Sequence, residues 1–265
     1  MENIKACVFD LDNTIVCHKE SDIRDNLKEI FKVLQDKGIY IVYNTSRNID
    51  ELKKFVSDFD NSFDYCLSSA GSQIIKDHQV IKCYTMSYDD VKPVLDKLKD
   101  KDVNVIYSLK DNLLYFDRHA TDTKRAEFAM CYSKIPQVRE MQPGDEYIDI
   151  AITGYEDIVK ETVDNCCPNI EVFLMNGYVS FLSPKGQNKA GGCLFLCDHL
   201  GISTDNLLVF GDGDNDIDMF KLCKNSVALE NASDNLKQYA KYVCGKDTED
   251  GVYHFLKGLI ESEIL

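Results

Sequence analysis

Four acidic residues stand close together in the segment LLVFGDGDNDIDMF, residues 207–220, directly after an apolar stretch typical of a buried strand. They are Asp212, Asp214, Asp216 and Asp218. Like charges at this spacing repel and raise one another's pKa unless a cation or a hydrogen-bond donor offsets them. Carboxylate oxygens are the ligands that Mg²⁺ prefers in proteins. The segment therefore predicts a metal site at the end of a strand.

A second acidic pair, Asp10 and Asp12, ends the apolar stretch KACVFDLD near the start of the sequence. Residues two apart on an extended chain point to the same side, so the two carboxylates can act together. One carboxylate can attack phosphorus and form an acyl phosphate that water then hydrolyses, while the other passes a proton to the leaving alcohol. Taken alone, a D-x-D pair is also typical of a turn or a helix cap.

An anionic pair can face a phosphate group only with positive charge beside it. Mg²⁺ held by oxygens of Asp10 and Asp212 would supply that charge, and Lys189 would place a fixed cation on the phosphate oxygens. Thr45 and Ser46 are suitable donors of hydrogen bonds to the phosphate. Thr45 has an alternative role, as the cap of a helix that begins near Ile49.

The surrounding elements predict how these residues come together. The stretches KACVFDLD and GIYIVYNTS are typical of strands, and the segment between them predicts a helix with Ser21 as its N-cap and Gly38 as its stop. Apolar strands separated by helices predict an α/β fold with a Rossmann-like, doubly wound parallel sheet. Such sheets bind ligands at the carboxyl ends of their strands. We therefore expect Asp10, Thr45 and Asp212 to meet at one edge.

Residues 83–182 have a different pattern of strands and helices. NVIYSL and LLYFD flank a turn, and IEVFLM and YVSFL are joined by Asn176-Gly177, a pair typical of a two-residue hairpin loop. This pattern predicts an inserted α/β (α+β) cap domain. Because the strand and helix alternation returns afterwards, residues 1–82 and 183–265 are predicted to form one core domain.

Composition excludes several classes of partner. The 265 residues contain 30 Lys and Arg against 45 Asp and Glu, a net charge of −15 that disfavours binding to nucleic acid or to an anionic membrane surface. The eleven cysteines form no C-x-x-C pair, which predicts reduced thiols rather than a zinc site. We expect a soluble, cytoplasmic protein without a spanning segment. The sequence leaves the oligomeric state and any role for the cysteines open.

Four short motifs carry a family resemblance. DLDNT at 10–14, NTSR at 44–47, PKGQNK at 184–189 and GDGDND at 211–216 resemble, in order, the motifs of the haloacid dehalogenase (HAD) superfamily. SVALENASDNLKQYA and TEDGVYHFL are similar to the C-terminal part of Cof-type phosphatases. The insertion between the second and third motifs is similar to the α/β cap of subfamily IIB. The resemblance implies a Cof-type, sugar phosphatase-like hydrolase.

The roles of the family carry over to the matching positions. Asp10 matches the nucleophile, and Asp12 matches the general acid/base whose backbone carbonyl also reaches Mg²⁺. The resemblance further implies that the substrate phosphate is bound by Thr45, Ser46, Lys189 and Asn215, and that Mg²⁺ is bound by Asp10, Asp12, Asp212 and Asp216. Relatives often have glycine at the position of Ser46.

We expect a Mg²⁺-dependent phosphatase for small phosphate monoesters, with sugar phosphates as the favoured class. Asp12 favours phosphate chemistry because dehalogenases of the superfamily lack this aspartate. Residues 83–182 have a net charge of −7, which suits a neutral leaving group, although Lys110, Arg118, Lys124 and Arg125 could form a local basic patch. Two alternatives stay open: a phosphomutase resembling phosphomannomutases, and a non-catalytic binding protein on the same fold.

Overall fold

The computed structural model describes residues 3–17, 22–55, 62–117, 136–175 and 177–265 of the chain. The chain divides into two compact units. The first, which we call the core unit, comprises Met1–Ser46, Phe55–Ile81 and Asn188–Leu265, and the second, the inserted unit, comprises Arg47–Lys54 and Lys82–Gln187. The domain boundaries expected from the sequence, 1–82 with 183–265 and 83–182, stay a prediction.

Both units contain strands and helices. In chain order the strands are β1 Ala6–Phe9, β2 Tyr40–Asn44, β3 Tyr65–Ser68, β4 Gln73–Lys76, β5 Gln79–Cys83, β6 Met86–Ser87, β7 Asn104–Leu109, β8 Leu114–Phe116, β9 Gln137–Val138, β10 Glu146–Thr153, β11 Ile170–Met175, β12 Val179–Pro184, β13 Leu207–Gly211, β14 Asn225–Leu229 and β15 Tyr242–Cys244. The helices are α1 Asp25–Asp36, α2 Ile49–Phe55, α3 Tyr88–Leu98, α4 Glu156–Cys166, α5 Lys189–Leu200, α6 Ile217–Leu222, α7 Asp234–Lys237 and α8 Gly251–Glu261.

The sheet of the core unit has the strand order β15-β14-β13-β1-β2-β3-β4-β5. The strands from β15 to β3 pair in parallel, whereas β4 runs antiparallel to β3. In the register of the central strands, Phe9 of β1 lies opposite Tyr43 of β2 and Phe210 of β13. The residues that follow these three strands therefore come level at one edge of the sheet. The predicted α/β fold class is confirmed.

Helices cover both faces of this sheet because its central strands are apolar on both sides. On one face Phe9 packs against Phe31 of α1 with their ring centroids 4.9 Å apart, and Phe210 contacts Phe255 of α8. On the other face Val8 and Val209 belong to a buried cluster that includes Leu196 of α5 and residues of α6. Helices on both faces therefore support the strands whose ends carry the polar residues.

The inserted unit is built on a mainly antiparallel sheet with the order β11-β12-β10-β7-β8-β9, and β6 pairs with β10. Helices α3 and α4 contribute Val91, Val94 and Val159 to a buried cluster with Val105 and Ile150 of the sheet. The helix α2 also lies in this unit. It is capped by Asn48, whose Oδ1 accepts a hydrogen bond from the backbone N–H of Glu51 at 3.0 Å, while Glu51 Oε2 accepts one from the N–H of Asn48.

Three local expectations need correction. The cap of α2 is Asn48, so the alternative role of Thr45 as that cap is wrong. Helix α1 begins at Asp25 after Arg24, and Ser21 lies outside the described residues. Met175 lies opposite Val179, so three residues rather than two join β11 to β12, and Asn176 among them also lies outside the described part.

The expected end of α1 is confirmed by Gly38, which has a φ of +77°. Within the described ranges, none of the helices combines the length and the hydropathy that a membrane span requires.

Candidate active site

The loop that follows β1 holds Asp10 and Asp12. The strand pairing with β13 continues into this loop, because the N–H of Asp10 donates a hydrogen bond of 3.0 Å to the carbonyl of Phe210. The chain then turns tightly around Leu11, whose carbonyl accepts hydrogen bonds from the N–H groups of Thr14, Ile15 and Val16. Asp10 is buried in this arrangement, whereas Asp12 is partly exposed.

Lys189 is the first residue of α5 and is 1% exposed. The start of the helix is fixed by Asn188, whose side chain accepts a hydrogen bond from the N–H of Gly191 at 2.9 Å. The Nζ atom of Lys189 lies 2.6 Å from Oδ1 of Asp10 and 2.7 Å from Oδ1 of Asp216. Burial lowers the pKa of this ammonium, but the two carboxylates outweigh burial and raise the pKa above its ordinary value.

Asp216 holds the loop after β13 together. Its Oδ2 atom accepts hydrogen bonds of 3.1 Å from the N–H groups of both Asp212 and Gly213, while Oδ1 contacts Lys189. A Cβ atom on Gly211 would lie 2.5 Å from the carboxyl group of Asp216, so only glycine fits at the end of the strand. The spacing of GDGDND is therefore explained by a carboxylate that turns back onto its own loop.

Asp212 completes the acidic cluster. Its Oδ1 atom accepts a hydrogen bond of 3.3 Å from Oγ1 of Thr14. Burial and the neighbouring charge of Asp216 raise the pKa of Asp212 to about 6, although Lys189 acts in the opposite direction. The pKa of Asp10 is also raised, first by burial and then by Asp216, Asp212 and Asp12, against the lowering effect of Lys189.

The cluster is suited to a small hard cation. Carboxylate oxygens of Asp10, Asp212 and Asp216 all lie within 4.8 Å of one another. Oxygen ligands at this separation fit Mg²⁺. Burial, and after it the neighbouring carboxylates, raises the pKa of Asp10 and Asp212 despite the opposing effect of Lys189, so a further cation would favour their ionised forms. Within the described part of the chain, Asp10, Asp212 and Asp216 are the cluster of acidic, histidine or cysteine side chains whose arrangement could hold a metal ion.

The loop after β2 carries Thr45 and Ser46. Thr45 is buried, and its backbone is fixed on both sides: its N–H donates to the carbonyl of Leu67 at 3.0 Å, and its carbonyl accepts from the N–H of Ala70 at 2.8 Å. Ser46 Oγ accepts a hydrogen bond of 3.2 Å from Nδ2 of Asn215. The structure thus places Ser46 and Asn215 in contact, as two neighbouring polar groups at the same edge of the sheet.

The sequence assigns no role to Asn44 and Asn231, two residues of the site. Asn44, the last residue of β2, donates a hydrogen bond from Nδ2 to the carbonyl of Lys189 at 2.9 Å and so connects β2 to the start of α5. Asn231 Nδ2 donates to the carbonyl of Asn13 in the loop after β1 at 3.0 Å. Both residues stand in or beside motifs, but only the tertiary structure shows which group each side chain contacts.

The remaining acidic and basic residues of the sequence analysis lie away from this contact network. Asp214 is exposed and accepts hydrogen bonds from Ser233 and Asn235, and Asp218 pairs with Lys221 at the surface. In the inserted unit Lys110 pairs with Glu146. The other members of the suggested basic patch, Arg118, Lys124 and Arg125, lie outside the described residues.

Comparison with known proteins gives consistent results along nearly the whole chain. The family described as haloacid dehalogenase-like hydrolase matches residues 7–256. The 5-amino-6-(5-phospho-D-ribitylamino)uracil phosphatase YwtE of Bacillus subtilis (strain 168) is 24% identical over 289 residues, which cover 98% of this chain and 99% of the relative. A Streptococcus pyogenes protein whose name joins a phosphatase to a peptidyl-prolyl cis-trans isomerase is 25% identical over 99% of this chain, which spans 56% of that relative's length.

Solved structures show the same fold. The structure described as the HAD subclass IIB sugar phosphatase BT4131 superposes with a TM-score of 0.84 and 23% sequence identity, covering 98% of this chain and 100% of that structure. At this level of identity the likeness concerns the fold.

Proposed function

The chain belongs to the haloacid dehalogenase-like hydrolases. From this premise we propose that it is a Cof-type phosphatase of subfamily IIB that hydrolyses small sugar phosphates with Mg²⁺ and an aspartyl-phosphate on Asp10. The observation that supports the proposal is the contact of Asp10 with Lys189 beside Asp212 and Asp216. A buried carboxylate at a strand end, with a cation beside it, is what an in-line phosphoryl transfer requires.

In the first half of the proposed reaction, a carboxylate oxygen of Asp10 bonds to the phosphorus atom. The bond between phosphorus and the leaving oxygen breaks, and Asp12 gives its proton to that oxygen. In the second half Asp12 takes a proton from water, the water oxygen bonds to phosphorus, and the bond between Asp10 and phosphorus breaks. Inorganic phosphate and the alcohol are the products.

The groups around Asp10 have distinct tasks in this proposal. Lys189 lies against both Asp10 and Asp216, so it can bind a phosphate oxygen without leaving its carboxylate partners. Thr45, Ser46 and Asn215 donate hydrogen bonds to the remaining phosphate oxygens. Because Asn215 already contacts Ser46, these two side chains form a pair that can close on one oxygen.

Mg²⁺ would be held by Asp10 and Asp212, with the backbone carbonyl of Asp12, and Asp216 would border it. When bound, the ion supplies positive charge that keeps the nucleophile ionised and offsets the phosphate charge. This fits the raised pKa of Asp10, since burial and three neighbouring carboxylates otherwise favour the protonated form, which cannot attack phosphorus. Asp216 is held by Lys189 and by two backbone N–H groups, so its proposed task is to fix the loop that carries Asp212.

The substrate class rests on two observations. The relative YwtE is named for a substrate with a phosphate on a ribityl chain, and the structural neighbour BT4131 is described as a sugar phosphatase, so both names point to a hydroxyl-rich leaving group. The acidic balance of residues 83–182 disfavours leaving groups with further phosphates. A sugar or sugar-alcohol monophosphate satisfies both conditions.

The test is phosphate release from a panel of sugar phosphates and one aryl phosphate, with and without Mg²⁺. The native chain is compared with Asp10→Asn and with the control Asp218→Asn, which makes the same chemical change at an exposed surface residue. Metal-dependent release that is lost in Asp10→Asn and kept in the control supports the proposal. Release that persists in Asp10→Asn excludes the aspartyl-phosphate. Release only after a sugar bisphosphate is added favours the mutase instead.

A further inference from the structure

The turn between β3 and β4 has a strained backbone. Ser69, Ala70 and Gly71 are consecutive and all have positive φ, at 48°, 53° and 88°. Residues other than glycine avoid this region because their Cβ atom approaches the backbone, so two such residues in a row are uncommon. The turn is also buried, with Ser69 and Ala70 each 1% exposed. Strain of this kind persists only where surrounding contacts impose it, and it concentrates at functional sites.

One contact of the turn is with the backbone of Thr45. The N–H of Ala70 donates a hydrogen bond of 2.8 Å to the carbonyl of Thr45, while the N–H of Thr45 donates to Leu67 just before the turn. The positive φ of Ser69, the residue before Ala70, belongs to the turn conformation in which this N–H meets the loop after β2. The strained conformation therefore fixes a residue to which the proposed reaction assigns phosphate binding.

The second contact is with the first turn of α5. A Cβ atom on Gly71 would lie 2.8 Å from the carbonyl oxygen of Asn188 and 3.0 Å from the backbone nitrogen of Gly192. These two atoms form a helical hydrogen bond with each other at 3.0 Å, and Lys189 is the residue that follows Asn188. Gly71 thus rests directly on the backbone that sets the position of Lys189, and no larger residue fits there without moving that backbone.

We propose that the Ser69–Gly71 turn is a positioning element that sets the separation of Thr45 and Lys189, with Gly71 as the residue on which this separation depends. The inference rests on the proposed function, since it assumes that both side chains bind one phosphate group. A hydrogen bond on one side of the turn and a backbone packing contact on the other connect two loops that are far apart in sequence. The strain in Ser69 and Ala70 is retained because a relaxed turn would lose one of the two contacts.

The test compares Gly71→Ala with Gly201→Ala. Gly201 ends the same helix with a φ of +66°, but a Cβ atom there has no neighbour within 4 Å, so this control reproduces the backbone strain without the contact. We expect Gly71→Ala to lower kcat on an aryl phosphate about tenfold or more and to raise the inhibition constant of inorganic phosphate, because misplacement of a binding group by a fraction of an ångström is costly. Gly201→Ala should keep both values within about twofold of native, with a smaller loss of Tm than Gly71→Ala because it adds strain without a clash. Equal kinetics in the two variants would overturn the inference.

Gly192→Ala is the second variant, for the case that Gly71→Ala does not fold. Its Cβ atom would meet Cδ1 of Leu67 at 3.1 Å and Cα of Gly71 at 3.3 Å, so it presses on the turn gently. Alanine also favours the helix more than glycine does, which acts against the loss of Tm from this contact, so the change in Tm should be smaller than in Gly71→Ala. A severalfold loss of kcat in the folded variant, measured below its Tm, supports the inference, and native kinetics overturn it. If the native chain releases no phosphate with Mg²⁺, the proposed function itself is wrong. If the native chain releases phosphate and the variants do so with the same kinetics, only the positioning role of the turn is wrong.

Discussion

The Nζ atom of Lys189 lies 2.6 Å from Oδ1 of Asp10, with the two side chains only 1% and 8% exposed. The same ammonium also contacts Asp216, so a single buried cation serves two carboxylates while Asp212 lies beside them. Burial of charge is costly unless each charge has a partner. Lys189 is therefore the charge on which the burial of Asp10 and Asp216 depends.

Removing the charge of Lys189 should destabilise the metal-free protein. In Lys189→Met the side chain keeps its length, but Asp10 and Asp216 lose their cation, and we expect the free energy of unfolding at neutral pH to fall by about 3–5 kcal/mol. The control is Lys224→Met, which breaks an exposed pair with Asp205 and should cost less than about 1 kcal/mol. Urea unfolding measures both, and equal losses would contradict the prediction.

The hydrogen bond from Asn44 to the carbonyl of Lys189 should be needed for the full rate of phosphate release. We expect Asn44→Leu to lower kcat about tenfold, because the start of α5 is then free to shift. Asn225→Leu is the matched control, since Asn225 also is a buried asparagine that donates to a backbone carbonyl, that of Asp205, at 2.9 Å. Both variants should lose about 1–3 kcal/mol of stability, but only the first should lose rate. Native kcat in Asn44→Leu would refute the connection.

Stabilisation by Mg²⁺ should depend on pH. The pKa of Asp212 is raised to about 6 in the folded metal-free chain, so the folded state binds this proton more tightly than the unfolded state does. The metal-free protein consequently loses stability as the pH rises from about 4 to about 6, and the loss is complete at neutral pH.

Mg²⁺ should restore this stability only where Asp212 is ionised. At about a hundred times its dissociation constant the ion would add roughly 2.7 kcal/mol at neutral pH, and the gain should fade below about pH 6 as protons compete for the carboxylate. Thermal melts with and without Mg²⁺ across this range measure the effect. Asp212→Asn should abolish it, and a Mg²⁺ shift of the same size at about pH 5 would count against the assignment.

The stability of the inserted unit should depend on Arg139. Its guanidinium makes a bidentate pair with Asp145 at 2.7 and 2.8 Å, and Tyr107 donates a hydrogen bond to the carbonyl of Arg139. This pairing lowers the pKa of Asp145, so its contribution is present at neutral pH and is lost as the pH falls through the lowered value.

We expect Arg139→Met to reduce stability by about 1.5–3 kcal/mol at neutral pH, with no direct effect on phosphate release. Lys110→Met is the control, because its pair with Glu146 is about half exposed on both sides, so its loss should be much smaller than that of Arg139→Met. The chain has no tryptophan and 14 tyrosines, so tyrosine fluorescence reports the unfolding. A smaller loss for Arg139 than for Lys110 would be the contrary result.

Much of the fold and of the acidic site follows from the sequence. The alternation of strands and helices predicted a parallel sheet, and the position of the polar residues after the strands predicted that they converge. The structure brings Asp10, Asp212, Asp216 and Lys189 into contact, and the HAD resemblance and the hydrolase class are confirmed. The catalytic, metal-binding and phosphate-binding roles of these residues stay predictions.

The sequence predicted less wherever a contact depends on a special backbone. Nothing in SSAGSQ indicates that Ala70 has a positive φ, because alanine has no preference for that region. Asn44 is one polar residue at the end of an apolar strand, and its partner on α5 is 145 residues away in sequence. The sequence also does not reveal the start of α1, because serine is the more common cap, whereas Arg24 precedes this helix without a side-chain cap.

The hydrogen bond between Thr14 and Asp212 joins residues 198 positions apart, since the strands β1 and β13 are neighbours in the sheet. A ribosome adds about 5–20 residues per second, so roughly 10–40 s pass between the synthesis of these two residues. During that time the nascent chain already contains Asp10, but β1 lacks β13 as a neighbour, and Lys189 and Asp212 are made only near the end of the interval. The contact between the loops after β1 and β13 can therefore form only after more than half of the sequence from Thr14 onward has been made.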